Sequence, residues 1–300
     1  MPGIEEKILA LKKERHAVIL AHNYVDGEVQ DIADFVGDSL ELSIKAKVLQ
    51  AEVIVFCGVS FMAETAKILS PRSIVLHPVP AAGCPMADMA DAAAVRQYRE
   101  RHPDAILVAY VNTTAEVKAE VDICCTSANA DRVVKSLPAD RDIMFLPDQN
   151  LGANVANTSG RKLTLWPGYC PTHNRILPAA IENARREHPG AILLVHPECT
   201  PTIVAAADYA LSTGGMLKMV RESAAKEFVI GTEYGILHRM RKENPDKRFY
   251  PVNPPPGCPN MKKITLESVL DSLEHMIYPV ELSPELIARA ALPIERMLAL

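Results

Sequence analysis

The chain has 300 residues, of which 48% are hydrophobic and 23% charged, with a formal net charge of −5. A chain of this size can bury a core without disulfide staples, and its mild acidity excludes a general nucleic-acid binder, which would present a basic face. No apolar run reaches the ~18 residues of a membrane span.

The opening "MPGIEEKILALKKERH" reads as an amphipathic helix, unlike a secretory signal. With seven cysteines and no such signal, the chain is expected in a reducing cytoplasm, where thiols stay free, bind metal or catalyse. Three short apolar runs follow along the chain: Ala17–Tyr24, Ala105–Asn112 and Ala191–Glu198. They begin at 17, 105 and 191, offsets of 88 and 86 residues. Continuous runs rich in Val, Ile and Leu suit strands buried on both faces of a parallel sheet. After each run comes a small polar signature, "GDS" at 37–39, "TSAN" at 126–129 and "STGG" at 212–215, and then a helical pattern. A further strand ends in "CGVSF", "LPDQN" or "IGTEY", and a last one leads to "GCPM", "YCPT" or "GCPN".

Self-similarity at a fixed period marks a repeated architecture. The sequence therefore predicts three α/β/α repeats related by a pseudo-threefold axis, over residues 1–88, 89–174 and 175–262. Each is a small parallel sheet of about four strands with right-handed helical crossovers. The tail 263–300 reads as helical with a short strand and is expected to pack back on the first repeat. Ligands in such units bind beyond the carboxyl ends of the strands, where every polar signature falls. Three such ends would share one central cavity.

Cys84, Cys170 and Cys258 are each followed by proline and are spaced 86 and 88 residues apart, like the strands. Structural zinc normally takes four ligands, often from short C-x₂-C spacings. One soft thiolate from each of three modules instead suits a 4Fe–4S cluster on the axis, with one iron free of protein thiolate. Cys57, Cys124 and Cys125 lie in apolar strands and read as core. Cys199 borders the expected site with its role open, and His173 reads as a group supporting ligand or substrate rather than a metal ligand.

The strand ends align His22, Tyr110 and His196, and two residues later Tyr24, Asn112 and Glu198. Residues i and i+2 share a strand face, so both rows can face the axis. Ser39, Ser127, Ser212 and Thr213 stand at expected helix starts, where capping and anion binding are both available. No GxGxxG or Walker A segment points to a nucleotide. Glu198, close to a hydrophobic strand end, is expected to have a raised pKa suited to a general base, with Tyr24 as acid or oxyanion donor.

Taken together, "AHNY", "DIADFVGDS", "FMAETAKIL", "CPMA", "YVN", "TSAN", "CPTH", "HPEC", "STGG", "GTE" and "CPNMK" resemble the quinolinate synthase family, from Ala21 to Lys262. The resemblance implies condensation of iminoaspartate (iminosuccinate) with dihydroxyacetone phosphate, giving quinolinate for de novo NAD biosynthesis. It implies a 4Fe–4S cluster on Cys84, Cys170 and Cys258. It also implies substrate contacts at His22, Ser39, Tyr110, Val111, Asn112, Ser127, His196, Pro197, Glu198 and Thr213, and a catalytic Tyr24, with His22, His196 and Glu198 in support. The expected partners are these small molecules and an imine-producing aspartate oxidase or dehydrogenase, with no nucleic acid and no membrane. Val25 and Tyr169 depart from the family's usual Gln and His. A zinc hydrolase or lyase using the same thiolates, or an iron–sulfur sensor, is the alternative reading of the cysteines.

Overall fold

A computed structural model describes residues 3–49 and 51–300. It contains three four-stranded sheets, parallel throughout, with helices on their faces. The first holds β1 (Ala17–His22), β2 (Phe35–Gly37), β3 (Val53–Cys57) and β4 (Ile74–Leu76) in the order β2-β1-β3-β4. The second holds β5 (Ile106–Tyr110), β6 (Ile123–Cys125), β7 (Ile143–Leu146) and β8 (Thr164–Leu165), ordered β6-β5-β7-β8. The third holds β9 (Ile192–Val195), β10 (Tyr209–Ala210), β11 (Glu227–Gly231) and β12 (Arg248–Pro251), ordered β10-β9-β11-β12. One topology is thus built three times, as the repeat predicts.

An aspartate fixes the register at the same place in every sheet. Asp34, Asp122 and Asp208 precede β2, β6 and β10, and their carboxylates accept the backbone N–H of Ile19, Leu107 and Leu193 at 2.8, 2.8 and 2.7 Å. Each is also paired with a cation, Lys12, Arg99 or Arg185. The three positions are again 88 and 86 residues apart. Beside β1 this register pairs Leu20 with Phe35 and with Phe56.

The central strands β1, β3, β5, β7 and β9 are almost wholly buried, which is why they read as continuous apolar runs rather than alternating ones. One large core joins the repeats, and a smaller one, with Ile181, Leu193, Ile203 and Val229, fills the other face of the third sheet.

In the tail, His77 N–H donates to Tyr278 O and Val280 N–H to Val75 O, adding a short antiparallel edge beside β4. Helix Leu266–His275 packs on helix Ile4–Glu14 and β3, whereas helix Pro284–Leu298 packs on β6 and on helices Ala115–Lys118 and Ser60–Leu69. The tail therefore touches both the first and the second repeat. No helix among the described residues is long and apolar enough to cross a membrane.

Candidate active site

At the carboxyl ends of the three sheets lies one cavity of about 920 Å³, counted with its open mouth. Its walls include Cys84, Cys170 and Cys258, both members of each row from the first and third repeats, and Tyr110 and Asn112 from the second. Ser39, Ser127 and Thr213 complete the list of expected residues that reach it. Val111 and Pro197 do not line it. Val111 N–H donates to Cys125 O, and its carbonyl accepts from Thr113 N–H. Pro197 has no N–H, and Asn154 occupies its carbonyl at 2.8 Å. Both backbones are engaged elsewhere, so the geometry does not support these two as contacts.

Each cysteine loop is tied down by the same bond. The N–H groups of Ser60, Gln149 and Tyr234, just beyond β3, β7 and β11, donate to Ala82 O, Gly168 O and Pro256 O at 2.9, 2.8 and 2.9 Å. Those carbonyls lie two residues before Cys84, Cys170 and Cys258. The proline after each cysteine opens a short helical turn, a position where its missing N–H costs nothing. Backbone N–H groups of that turn act on the sulfur and favour its thiolate: Ala87 and Met86 on Cys84, His173 on Cys170, Met261 and Asn260 on Cys258. The Cys-Pro pair is thus a thiol held at a helix cap, where a thiolate is favoured. A buried carboxylate reinforces the third loop, with Glu233 accepting the N–H of Cys258 at 3.2 Å.

Burial nevertheless pushes the Cys84 thiol up to about 12 and raises Cys170 and Cys258, against the N–H groups that lower them. A bound metal reverses that balance, because a coordinating thiol is deprotonated outright. The other cysteines behave differently. Cys57, Cys124 and Cys125 are buried in strands, and Cys199 is buried with its Sγ 3.7 Å from Gly231 O, outside the cavity wall.

The histidines share a second repeated device. Tyr24 N–H donates to His22 Nδ1 at 3.2 Å, and Glu198 N–H to His196 Nδ1 at 3.3 Å. A ring whose Nδ1 accepts carries its proton on Nε2. His196 Nε2 accordingly meets Ser127 Oγ at 3.2 Å. Burial lowers His22 to about 4, despite the Glu198 charge, and His196 to about 3. Both are neutral donors at ordinary pH.

Tyr24 and Glu198 are joined by a buried chain that spans the third repeat and the second cysteine loop. Tyr24 Oη lies 2.6 Å from Thr232 Oγ1, Thr232 Oγ1 lies 2.8 Å from His173 Nε2, and His173 Nδ1 lies 2.7 Å from Glu198 Oε2. Tyr110 Oη donates to the other Glu198 oxygen at 2.6 Å. Burial opposes the Glu198 charge, but His196, His173 and the bonds from His173 and Tyr110 outweigh it and hold the carboxyl well below the usual range. This is opposite to the raised value expected from the strand-end context. Burial, helped by Glu198, raises Tyr24 and Tyr110 well above the ordinary phenol value. His173 Nδ1 also lies 3.2 Å from Cys170 Sγ; beside an ionised Glu198 it is a donor and Nε2 an acceptor, so Thr232 donates to His173 and accepts from Tyr24.

Sequence reasoning missed Thr232 altogether and left His173 a supporting group. "GTE" and "CPTH" were visible, but nothing along the chain links them to Tyr24. The helix starts agree with expectation at Ser39, Ser212 and Thr213 and differ at Ser127. Asp38, not Ser39, caps helix Ser39–Val48, accepting from Leu40 and Glu41 N–H. Ser212 caps helix Thr213–Glu222. Ser127 sits in the turn before helix Ala130–Ser136, and Thr213 accepts from Asn23 Nδ2 at 3.1 Å.

A sheet-end cavity shared by three α/β repeats, with preorganised thiols and a buried chain of polar contacts, defines the class as an enzyme with a thiol-lined active site. The sequence matches the family described as quinolinate synthetase A protein over residues 6–299. It is 56% identical to a quinolinate synthase of Dehalococcoides mccartyi (strain CBDB1) over 295 residues, 98% of this chain and 97% of that one. It is 52% identical to the quinolinate synthase of Pelobacter propionicus over 298 residues, 99% and 98% of the two chains. With quinolinate synthase 2 of Methanosarcina acetivorans the identity is 51% over 296 residues, 99% and 95% of the chains. The chain belongs to the quinolinate synthase family.

Proposed function

We propose that this protein condenses iminoaspartate with dihydroxyacetone phosphate to quinolinate, releasing phosphate and two waters, with a 4Fe–4S cluster on Cys84, Cys170 and Cys258. The supporting observation is the convergence of three identically built cysteine caps and the chain from Tyr24 to Glu198 on one cavity. Three soft donors, one per repeat, fit a cluster with three protein ligands. When bound, its remaining iron supplies Lewis acidity toward a substrate oxygen.

The protein's own residues account for binding and proton movement. The Nε2–H groups of His22 and His196, with the hydroxyls of Ser39, Ser127 and Thr213, suit carboxylate and phosphate oxygens. Arg175, exposed at the cavity wall, adds a cation for these anions. Tyr24 can pass its proton through Thr232 to His173 Nε2, and Glu198 stabilises the imidazolium that forms. The phenolate then removes a proton from substrate, and the reverse transfer donates one to a departing hydroxyl. Ring formation needs both, because enolisation and imine closure remove protons and each dehydration returns one. Glu198 acts as the fixed anion of this relay, and Tyr110 holds it.

Cys170, His173 and Glu198 also place three possible ligand atoms within 4.8 Å of one another, which favours a single bound ion as the second reading. Anaerobic purification followed by metal analysis separates the two. The proposal expects brown protein with about four iron and four sulfide per chain, forming quinolinate from freshly generated imine. Colourless zinc protein, or cluster-loaded protein that makes no quinolinate, would overturn it.

A further inference from the structure

Behind the row of Tyr24, Asn112 and Glu198 lies a second row that does not line the cavity. The next residues are Val25, Thr113 and Cys199, and a buried side-chain nitrogen donates to each of their carbonyls. Gln30 Nε2 reaches Val25 O at 2.9 Å, Lys118 Nζ reaches Thr113 O, and Asn154 Nδ2 reaches Cys199 O at 3.0 Å. The two amides also take the carbonyl on the other side of the row, Asn23 O at 3.2 Å and Pro197 O at 2.8 Å. In the second repeat, Thr113 N–H takes Val111 O instead. Every member of the row is thus gripped by the peptides flanking it.

The donors obey the repeat. Gln30 and Lys118 each follow their row residue by six positions and stand 88 apart. Val204 occupies that position in the third repeat and has no donor, and Asn154, from helix Gln149–Ser159 of the second repeat, supplies one. Gln30 Nε2 also lies 2.9 Å from Gly235 O, so its two N–H groups are shared among three carbonyls and two of the three donors bridge separate repeats. Exposures of 5% for Gln30, 0% for Lys118 and 6% for Asn154 show how fully these polar groups are enclosed. Lys118 forms no salt bridge within 4 Å among the described residues; the Phe61 ring lies 5.5 Å from its ammonium, and Glu64, Glu116, Cys124 and Cys84 act on its charge only through space. Enclosing an unpaired lysine is costly, and a core position with no further task is normally filled by Leu or Met.

We infer that Gln30, Lys118 and Asn154 are positioning residues, which set the peptides carrying Tyr24, Asn112 and Glu198 so that three side chains from separate repeats meet one substrate. This rests on the proposed reaction. The variants Gln30→Met, Lys118→Met and Asn154→Leu keep the volume and remove the donor. Each should lower kcat roughly 10- to 10²-fold, the scale of a small misplacement of a catalytic group, while iron content and fold by circular dichroism match the parent. In a Glu198→Gln background, adding Asn154→Leu should change kcat by less than about twofold, because the two act through one group. Lys118→Gln installs the donor used in the first repeat and should restore kcat to within about threefold of the parent, since the donor rather than the charge holds the peptide. Donor-free variants with parental kcat, losses that multiply in the double variant, or a Lys118→Gln protein no better than Lys118→Met would overturn the inference. Should Lys118→Met fail to fold, Gln30→Met, Asn154→Leu and the double variant still decide it. A parent that makes no quinolinate refutes the reaction itself, a result distinct from all of these.

Discussion

Replacing Thr232 by valine cuts the link between Tyr24 and His173 without changing the volume of the side chain. The hydroxyl is the only group joining the 2.6 Å contact to Tyr24 Oη and the 2.8 Å contact to His173 Nε2. Its loss leaves a buried phenol and a buried ring nitrogen without partners, at about 1–3 kcal/mol each. If proton transfer runs through this atom, turnover should fall by about 10²–10⁴, the range for losing general acid–base catalysis. Thr232→Ser keeps the oxygen and should retain most of the activity. The residual rate of Thr232→Val should climb with pH, because solvent hydroxide must then remove the proton from a phenol already raised above its ordinary value. Quinolinate formation is measured anaerobically, with iron content and melting temperature beside it. A Thr232→Val protein within about threefold of parental turnover, in an assay where Tyr24→Phe is inactive, would show that the chain is not the proton path.

The remaining predictions concern ligands, anions, pH and packing. Cys84→Ser, Cys170→Ser and Cys258→Ser should each lose bound iron and sulfide, whereas Cys57→Ala should keep both in the same analysis. Ser39→Ala, Ser127→Ala and Thr213→Val should each weaken quinolinate binding about tenfold or more in a titration, since a hydrogen bond to a charged group is worth about 1.5–3 kcal/mol. Folded His22 is depressed from 6.5 to about 4 by burial. Between those values the unfolded chain binds a proton that the folded one does not, so stability falls as pH falls, by up to about 1.4 kcal/mol per pH unit. Denaturant titrations of the parent and of His22→Gln should show a smaller slope for the variant in that window. Gly235→Ala would put a methyl 2.7 Å from Tyr24 O and 2.8 Å from Tyr24 C. Backbone cannot yield to it, so the variant should lose about 1–3 kcal/mol of stability and part of its turnover as Tyr24 shifts.

Local chemistry decided much of this protein before any tertiary contact formed. The apolar runs, the polar signatures after them and the Cys-Pro pairs recur at 86–88 residues, and this periodicity alone implies three parallel sheets whose ends converge. Residues two apart on a strand face one way, so the rows through His22 and Tyr24 and through His196 and Glu198 were legible as well. Tertiary structure alone decided which groups act on one another. Thr232 lies 208 residues from Tyr24 and 59 from His173, and their bonds exist only because separate repeats pack at one particular angle. The ionised state of Glu198 draws on His196, two residues away at its own strand end, but also on His173 and Tyr110, which arrive from the second repeat and its cysteine loop. A strand's own sequence specifies the face on which a side chain stands. It does not specify the partner that packing brings across the axis, and in a buried site that partner helps to set the charge.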